Sequence, residues 1–180
     1  MTGRPERSEA VDHFWKYIDR VQGEDPIAAL ERQLAGVESF LAGISEEKST
    51  YRYAPGKWSM RETLSHVTDT ERSFAYRALW FGRGFATPLE GLPEDEAAAA
   101  AQADRIAWAA HVEEFRRVRL ATLSLFEHMP HEAWLRRGVV SGNPISVRAL
   151  AFLCTGHAEH HFAIFRERVA TNVFNKLFVT

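Results

Sequence analysis

Four long stretches in which apolar residues recur every three or four positions, broken by glycine and proline, leave this chain few folds other than a bundle of helices. Asp25 stands at an N-cap position with Pro26 just inside, where a missing N–H costs nothing. Ile27, Leu30, Leu34, Val37, Phe40 and Leu41 then keep helical spacing as far as Ile44. Ser59-Met-Arg-Glu62 is a capping box, and the helix it opens carries Leu64, Val67, Phe74, Ala75 and Leu79 up to Gly82 or Gly84. The alanines from Ala97 to Ala101 open a third helical region, which Ile106, Val112, Phe115, Val118, Leu123 and Phe126 carry to Met129. The fourth spans residues 146–170, with Leu150, Leu153, Ile164, Phe165 and Val169 on its apolar side. A short leading helix within residues 8–21 would place Phe14, Tyr17, Ile18 and Val21 on one stripe. Residues 51–57, 85–93 and 138–144 read as connections, the first packed through Tyr51 and Tyr53, the last with a hairpin-like turn at Ser141-Gly-Asn. Sustained strand alternation and internal repeats are absent from the sequence, so the expected fold class is all-α.

At 180 residues the expectation is one domain spanning residues 1–180. A formal net charge of -2, with basic residues scattered among acids, gives no electrostatic footprint for nucleic acid. No apolar run approaches the roughly 20 residues that span a bilayer, and residues 1–9 lack the apolar segment of a secretory signal. With one cysteine there is no internal disulfide framework. These features predict a cytoplasmic protein that engages neither membrane nor nucleic acid.

Eight histidines are present, and three suggest chemistry. His157 and His161 are one turn apart, which stacks both imidazoles on one helix face. His66 lies two turns inside the helix opened by the capping box and can supply a third nitrogen from a facing helix. Three nitrogens and an open position describe a catalytic rather than a closed metal site. His160 sits about 60° around the helix from His157 and can replace His161 at i, i+3 spacing, so both assignments stay open, with the i, i+4 pair favoured. Asp69 and Thr70 follow His66 at i+3 and i+4, where they either orient its ring or serve as a solvated acid and a packed threonine. Cys154 is two turns from His161, too far to share an ion easily, and is expected to be a packing residue. Glu159 is expected to be exposed, and His13, His111, His128 and His131, among polar neighbours, to be solvated or capping residues. Tyr53, Trp58, Phe74 and Phe162 are the aromatic candidates for the mouth of the site, against a competing role in the core.

The segments Tyr53-Ala-Pro-Gly-Lys-Trp-Ser59, Arg61-Glu-Thr-Leu-Ser-His66-Val-Thr-Asp-Thr-Glu71 and Gly156-His-Ala-Glu-His-His161 before Ile164-Phe-Arg-Glu-Arg168 together resemble the DinB-like superfamily, and in particular its YfiT-like branch of metal-dependent hydrolases. The resemblance covers roughly residues 25–170, taken as the core bundle. It implies a four-helix bundle with up-down-down-up connectivity, a divalent ion (zinc or nickel) on His66, His157 and His161, and a homodimer. Related branches use the metal to bind a thiolate, so the implied activity is hydrolysis or thiol transfer on a small molecule, with a low-molecular-weight thiol as partner. The contrasting readings are a non-catalytic metal-binding or stress-response module, and a helical interaction protein with no metal. The apolar C-terminal residues Phe174, Leu177, Phe178 and Val179 also motivate the dimer, since such a segment needs a surface to bury against.

Overall fold

The computed structural model describes the backbone of residues 3–52 and 54–177, with side chains as far as Glu167. Among the described residues, seven α-helices and one hairpin follow in the order α1 (Asp12–Ile18), α2 (Pro26–Ala42), α3 (Glu46–Ser49), α4 (Met60–Gly82), α5 (Glu94–Ala101), α6 (Trp108–Glu127), β1 (Arg137–Val140), β2 (Asn143–Ser146) and α7 (Val147–Leu177). The long helices α2, α4, α6 and α7 form the bundle. Tyr53 and the side chains of Phe174, Leu177, Phe178 and Val179 lie outside the described residues, so the packing proposed for them has no structural counterpart here.

Side-chain contacts fix the helix directions. The Trp108 indole N–H donates to the Leu41 carbonyl (2.9 Å), and Arg119 reaches the Leu30 carbonyl, so α6 runs antiparallel to α2. Arg61 donates to the Ile106 carbonyl and Arg119 pairs with Glu71, so α4 and α6 run parallel. Gln33 donates to the Thr155 carbonyl and Arg166 lies over the Phe40 ring, so α2 and α7 also run parallel. The connectivity is therefore up-down-down-up. Parallel neighbours cannot be joined by a short turn, and residues 83–107, including α5, form the crossover between α4 and α6.

Local signals account for the element starts. The Asp25 carboxylate accepts from the N–H groups of Ile27 and Ala28. Ser59 and Glu62 satisfy each other's backbone N–H groups, completing the capping box. The hairpin turns at Ser141-Gly142, both with positive φ (45° and 78°), as a two-residue turn between twisted strands requires. The alanine-rich helix does not continue to residue 129. It stops at Ala101, because Gln102 adopts a left-handed conformation (φ 49°), and α6 starts afresh at Trp108. The leading helix is likewise shorter than its apolar stripe, spanning only Asp12–Ile18 after a single 3-10 turn at Arg7–Glu9.

Among the described residues the core falls into two apolar clusters. One gathers Trp15, Ile18, Leu30, Phe74 and Leu123 with the hairpin and the start of α7; the other gathers Val37, Leu64, Val67, Phe115 and Phe162. Between them lies a polar layer. Arg119, fully buried, forks onto both Glu71 carboxylate oxygens at 2.8 Å and donates to Gln33 at 2.9 Å. Gln33 in turn donates to the Thr155 carbonyl at 3.0 Å, so this layer ties all four long helices together.

Candidate metal centre

The capping box fixes where α4 begins, and so places His66 two turns inside it, on the face turned toward α7. The start of α7 is fixed by Ser146, whose hydroxyl accepts from the Ala149 N–H and donates to Glu9. From there His157 and His161 fall on one face. The three imidazoles converge, with ring centroids 4.7 Å apart for His157 and His161, 5.0 Å for His66 and His157, and 5.1 Å for His66 and His161. The Nε2 of His157 lies 3.1 Å from that of His66 and 3.2 Å from that of His161, and the three ligand atoms lie within 4.8 Å of one another.

This geometry is awkward for histidines alone. An imidazole nitrogen has one in-plane position, holding either a hydrogen or a lone pair. His157 Nε2 has two nitrogen neighbours and can make a good linear bond to only one. A cation at the centre would be approached by all three lone pairs. The protonation states suit that role. Burial pushes the His157 pKa well below the ordinary histidine value, and His161 and His66 push the same way. Burial also lowers His66, against the opposing pull of Glu94, Asp69 and Asp95. Neutral imidazole is the ligand form, and the acidic groups near His66 favour a positive charge beside it.

Aromatic rings hold the cluster in place. Trp58 leans on His66 at 4.9 Å, and the edge of Phe74 meets His157 at 6.0 Å. Tyr17 packs against both His157 and His160. Gly156 makes that last contact available: a Cβ there would lie 2.2 Å from the Tyr17 carbonyl oxygen. A glycine inside a helix costs about 1 kcal/mol relative to alanine, and here it admits the end of α1 against α7. Toward solvent the centre opens on a cleft of about 260 Å³, lined by Lys57, Trp58, Thr63, Asp95, His161 and Ile164.

Among the described residues, the converging set contains His66, His157 and His161 and omits His160, whose Nδ1 is buried without a hydrogen-bond partner. Asp69 accepts from Arg72, and the buried Thr70 hydroxyl is without a partner. Cys154 is buried, as a packing residue should be, and burial raises its thiol pKa well above the usual range. Glu159 is half-buried rather than exposed, accepting from Gln33 and Arg166. Of the candidate mouth aromatics, Trp58 lines the cleft and Phe162 is core. His111 is neither solvated nor a helix cap: it is 1% exposed, and its Nε2 bonds the Ala103 carbonyl at 2.9 Å, tying α6 back to the crossover.

The buried pair Glu71–Arg119 escaped the sequence reading. Its signal was present. Glu71 occupies the apolar stripe of α4 between Val67 and Phe74, and Arg119 that of α6 between Phe115 and Leu123. Opposite charges interrupting two apolar stripes point to each other.

With this geometry in view, the family model for the DinB superfamily matches residues 29–165. The chain belongs to the DinB superfamily. The solved structure of YfiT from Bacillus subtilis, described as a probable metal-dependent hydrolase with an unusual four-helix bundle topology, superposes with a TM-score of 0.70 at 16% identity, covering 91% of this chain and 89% of that one. A mycothiol-dependent maleylpyruvate isomerase superposes with a TM-score of 0.61 at 12% identity over 72% of this chain, which spans only 55% of the isomerase. At such identities the likeness is one of fold. A comparison with curated protein sequences finds no match. Among the described residues of this DinB-superfamily chain, no helix is long and apolar enough to cross a membrane.

Proposed function

We propose that this protein binds one divalent ion, zinc or nickel, through His66, His157 and His161, and acts on a small molecule by hydrolysis or thiol transfer. The observation that supports this most is the convergence of three Nε2 atoms that cannot all satisfy one another. Imidazole donors suit late divalent ions. His66, His157 and His161 would hold such an ion through neutral nitrogens, and it would supply stabilisation of an anion such as hydroxide or thiolate. The protein's own contribution is orientation and access. Tyr17, Trp58 and Phe74 hold the rings, and the cleft beside His161 leads in from solvent. Cys154, buried with a raised pKa, is unsuited to be the nucleophile. A low-molecular-weight thiol partner, a homodimeric assembly and a cytoplasmic setting belong to the same reading.

Elemental analysis of protein purified without a histidine tag or added metal tests it. About one ion per chain is expected, lost in His66→Ala and His161→Ala and kept in His160→Ala. Unchanged metal content in both of the first two variants would overturn the assignment.

A further inference from the structure

A second cavity, of about 200 Å³, lies along α4 on the side of Phe74 and is walled by Thr70, Ser73, Phe74 and Arg77, by Leu92 of the crossover and by Ile145 of β2. The crossover is held across it by the hairpin: Leu89 bonds Val139 backbone-to-backbone, and the Gly91 N–H donates to the Ser141 hydroxyl. A small, largely apolar space with a few polar groups is the usual form of a small-molecule site.

Arg77 is what makes this one specific. It is 7% exposed, yet among the described residues it forms no ion pair. One nitrogen, Nη2, donates to the Glu90 carbonyl at 3.1 Å, and the guanidinium lies over the Phe74 ring at 5.9 Å. A buried cation normally has an anion beside it, because desolvating a lone charge is expensive. Arg119, also buried and on the same bundle, has Glu71. Arg77 is thus held in position with no carboxylate bonded to it among the described residues, and a guanidinium fork matches a carboxylate. Glu94, at the exposed rim of the same cavity, disfavours a second negative charge and so favours a carboxylate over a phosphate dianion.

The cavity and the histidine cluster share a wall residue, Phe74. Side chains on a helix lean toward its N-terminus, so Arg77 points back along α4 toward His66. Phe74 links the two places: the guanidinium lies over its ring, and the same ring makes a perpendicular contact with His157. Thr70, one turn beyond His66, lines the near end of the cavity.

We infer that Arg77 is the recognition residue of a carboxylate subsite, and that the substrate is a small monoanionic carboxylate whose reacting group reaches past Phe74 to the histidine cluster. This rests on the functional reading above for what happens at the histidines, but binding at Arg77 can be tested without it. Metal-free protein is titrated calorimetrically with hexanoate and with hexanol. Hexanoate should bind saturably and about tenfold or more tighter than hexanol, as charged hydrogen bonds allow. Arg77→Gln should remove that preference, Arg77→Lys should keep part of it, and Glu94→Gln should strengthen hexanoate binding. Circular dichroism identifies any variant that fails to fold, and Arg77→Lys then carries the comparison. Equal binding of hexanoate and hexanol, or hexanoate binding unchanged in a folded Arg77 variant, overturns the inference. A cobalt-loaded sample titrated with 6-mercaptohexanoate and 6-mercaptohexanol separates the two readings. If hexanoate binds but neither thiol produces a thiolate charge-transfer band, the carboxylate subsite stands and the thiol chemistry falls. If both thiols give the band with equal affinity, the metal chemistry stands and the subsite falls.

Discussion

Replacing Glu71 by leucine should be among the most damaging single changes in the bundle, and replacing Arg119 by methionine in the same molecule should repair most of the damage. Both side chains are essentially out of water, with Arg119 at 0% and Glu71 at 2% exposure. Their two bonds of 2.8 Å form a bidentate fork, and Arg119 also donates to Gln33. Removing the carboxylate leaves a buried guanidinium with only neutral acceptors, a change that costs about 3–5 kcal/mol. For a chain of this size that is a fall of about 10 °C in Tm. Glu71→Leu/Arg119→Met removes both charges and puts aliphatic volume between two existing apolar clusters, so it should lie within about 1.5 kcal/mol of wild type or above it. Urea denaturation of the wild type, both single variants and the double variant gives the coupling energy, expected at about 2 kcal/mol or more. A single Glu71→Leu variant within about 1 kcal/mol of wild type, or single effects that simply add, would refute the view that this pair is a compensated buried charge.

Further outcomes follow from other contacts. Gly156→Ala gains about 1 kcal/mol of helix propensity but places a methyl 2.2 Å from the Tyr17 carbonyl oxygen, so a net loss of about 1–3 kcal/mol is expected; a Tm above wild type would show that α1 can move aside freely. Burial opposes ionisation of Glu9, yet Arg148, the Glu6 N–H and Ser146 outweigh it and hold the carboxyl at about 2 against an ordinary 4.5. Its stabilisation is therefore fully present above pH about 4.5 and lost as pH falls toward 2, with an upper figure of about 3 kcal/mol. The gap between wild type and Glu9→Gln in urea midpoint should accordingly close over that window, and a gap independent of pH would contradict the ion pair. Cys154, buried with a raised pKa, should react with Ellman's reagent only on unfolding; rapid labelling of the native protein would show that the interior near Arg119 opens.

Much of the architecture was written locally. Asp25-Pro26 and Ser59-Met-Arg-Glu62 mark helix starts whose chemistry operates within four residues, and the spacing of His157 and His161 needs only a helix to become a face. What is non-local was harder to read. Nothing near Gly156 in the sequence announces Tyr17, which meets it through the docking of α1. The alanine run looks continuous with α6 because alanine favours helix everywhere; the break at Gln102 is imposed by the need to carry the chain back to Asp104, which Arg61 and Ser59 hold beside the start of α4. His111 appeared polar by its neighbours, but its burial is decided by that same returning segment.

The parallel alignment of α4 and α6 has one more consequence. A chain that must travel back along the whole bundle before starting its next helix has to lay that return path somewhere, and here it runs over the seam where the histidines lie. Leu92 and Glu94 border one cavity, Asp95 the cleft beside His161, and Ala103 receives His111. The return path is thus a roof that the bundle's topology makes unavoidable, but whose composition the core hardly constrains before Ala98. The frame and the selectivity of the site are therefore separable by construction: exchanging the exposed residues between 83 and 96, short of the anchored stretch from Ala98 to Asp104, should change what the protein accepts while leaving the bundle beneath it standing.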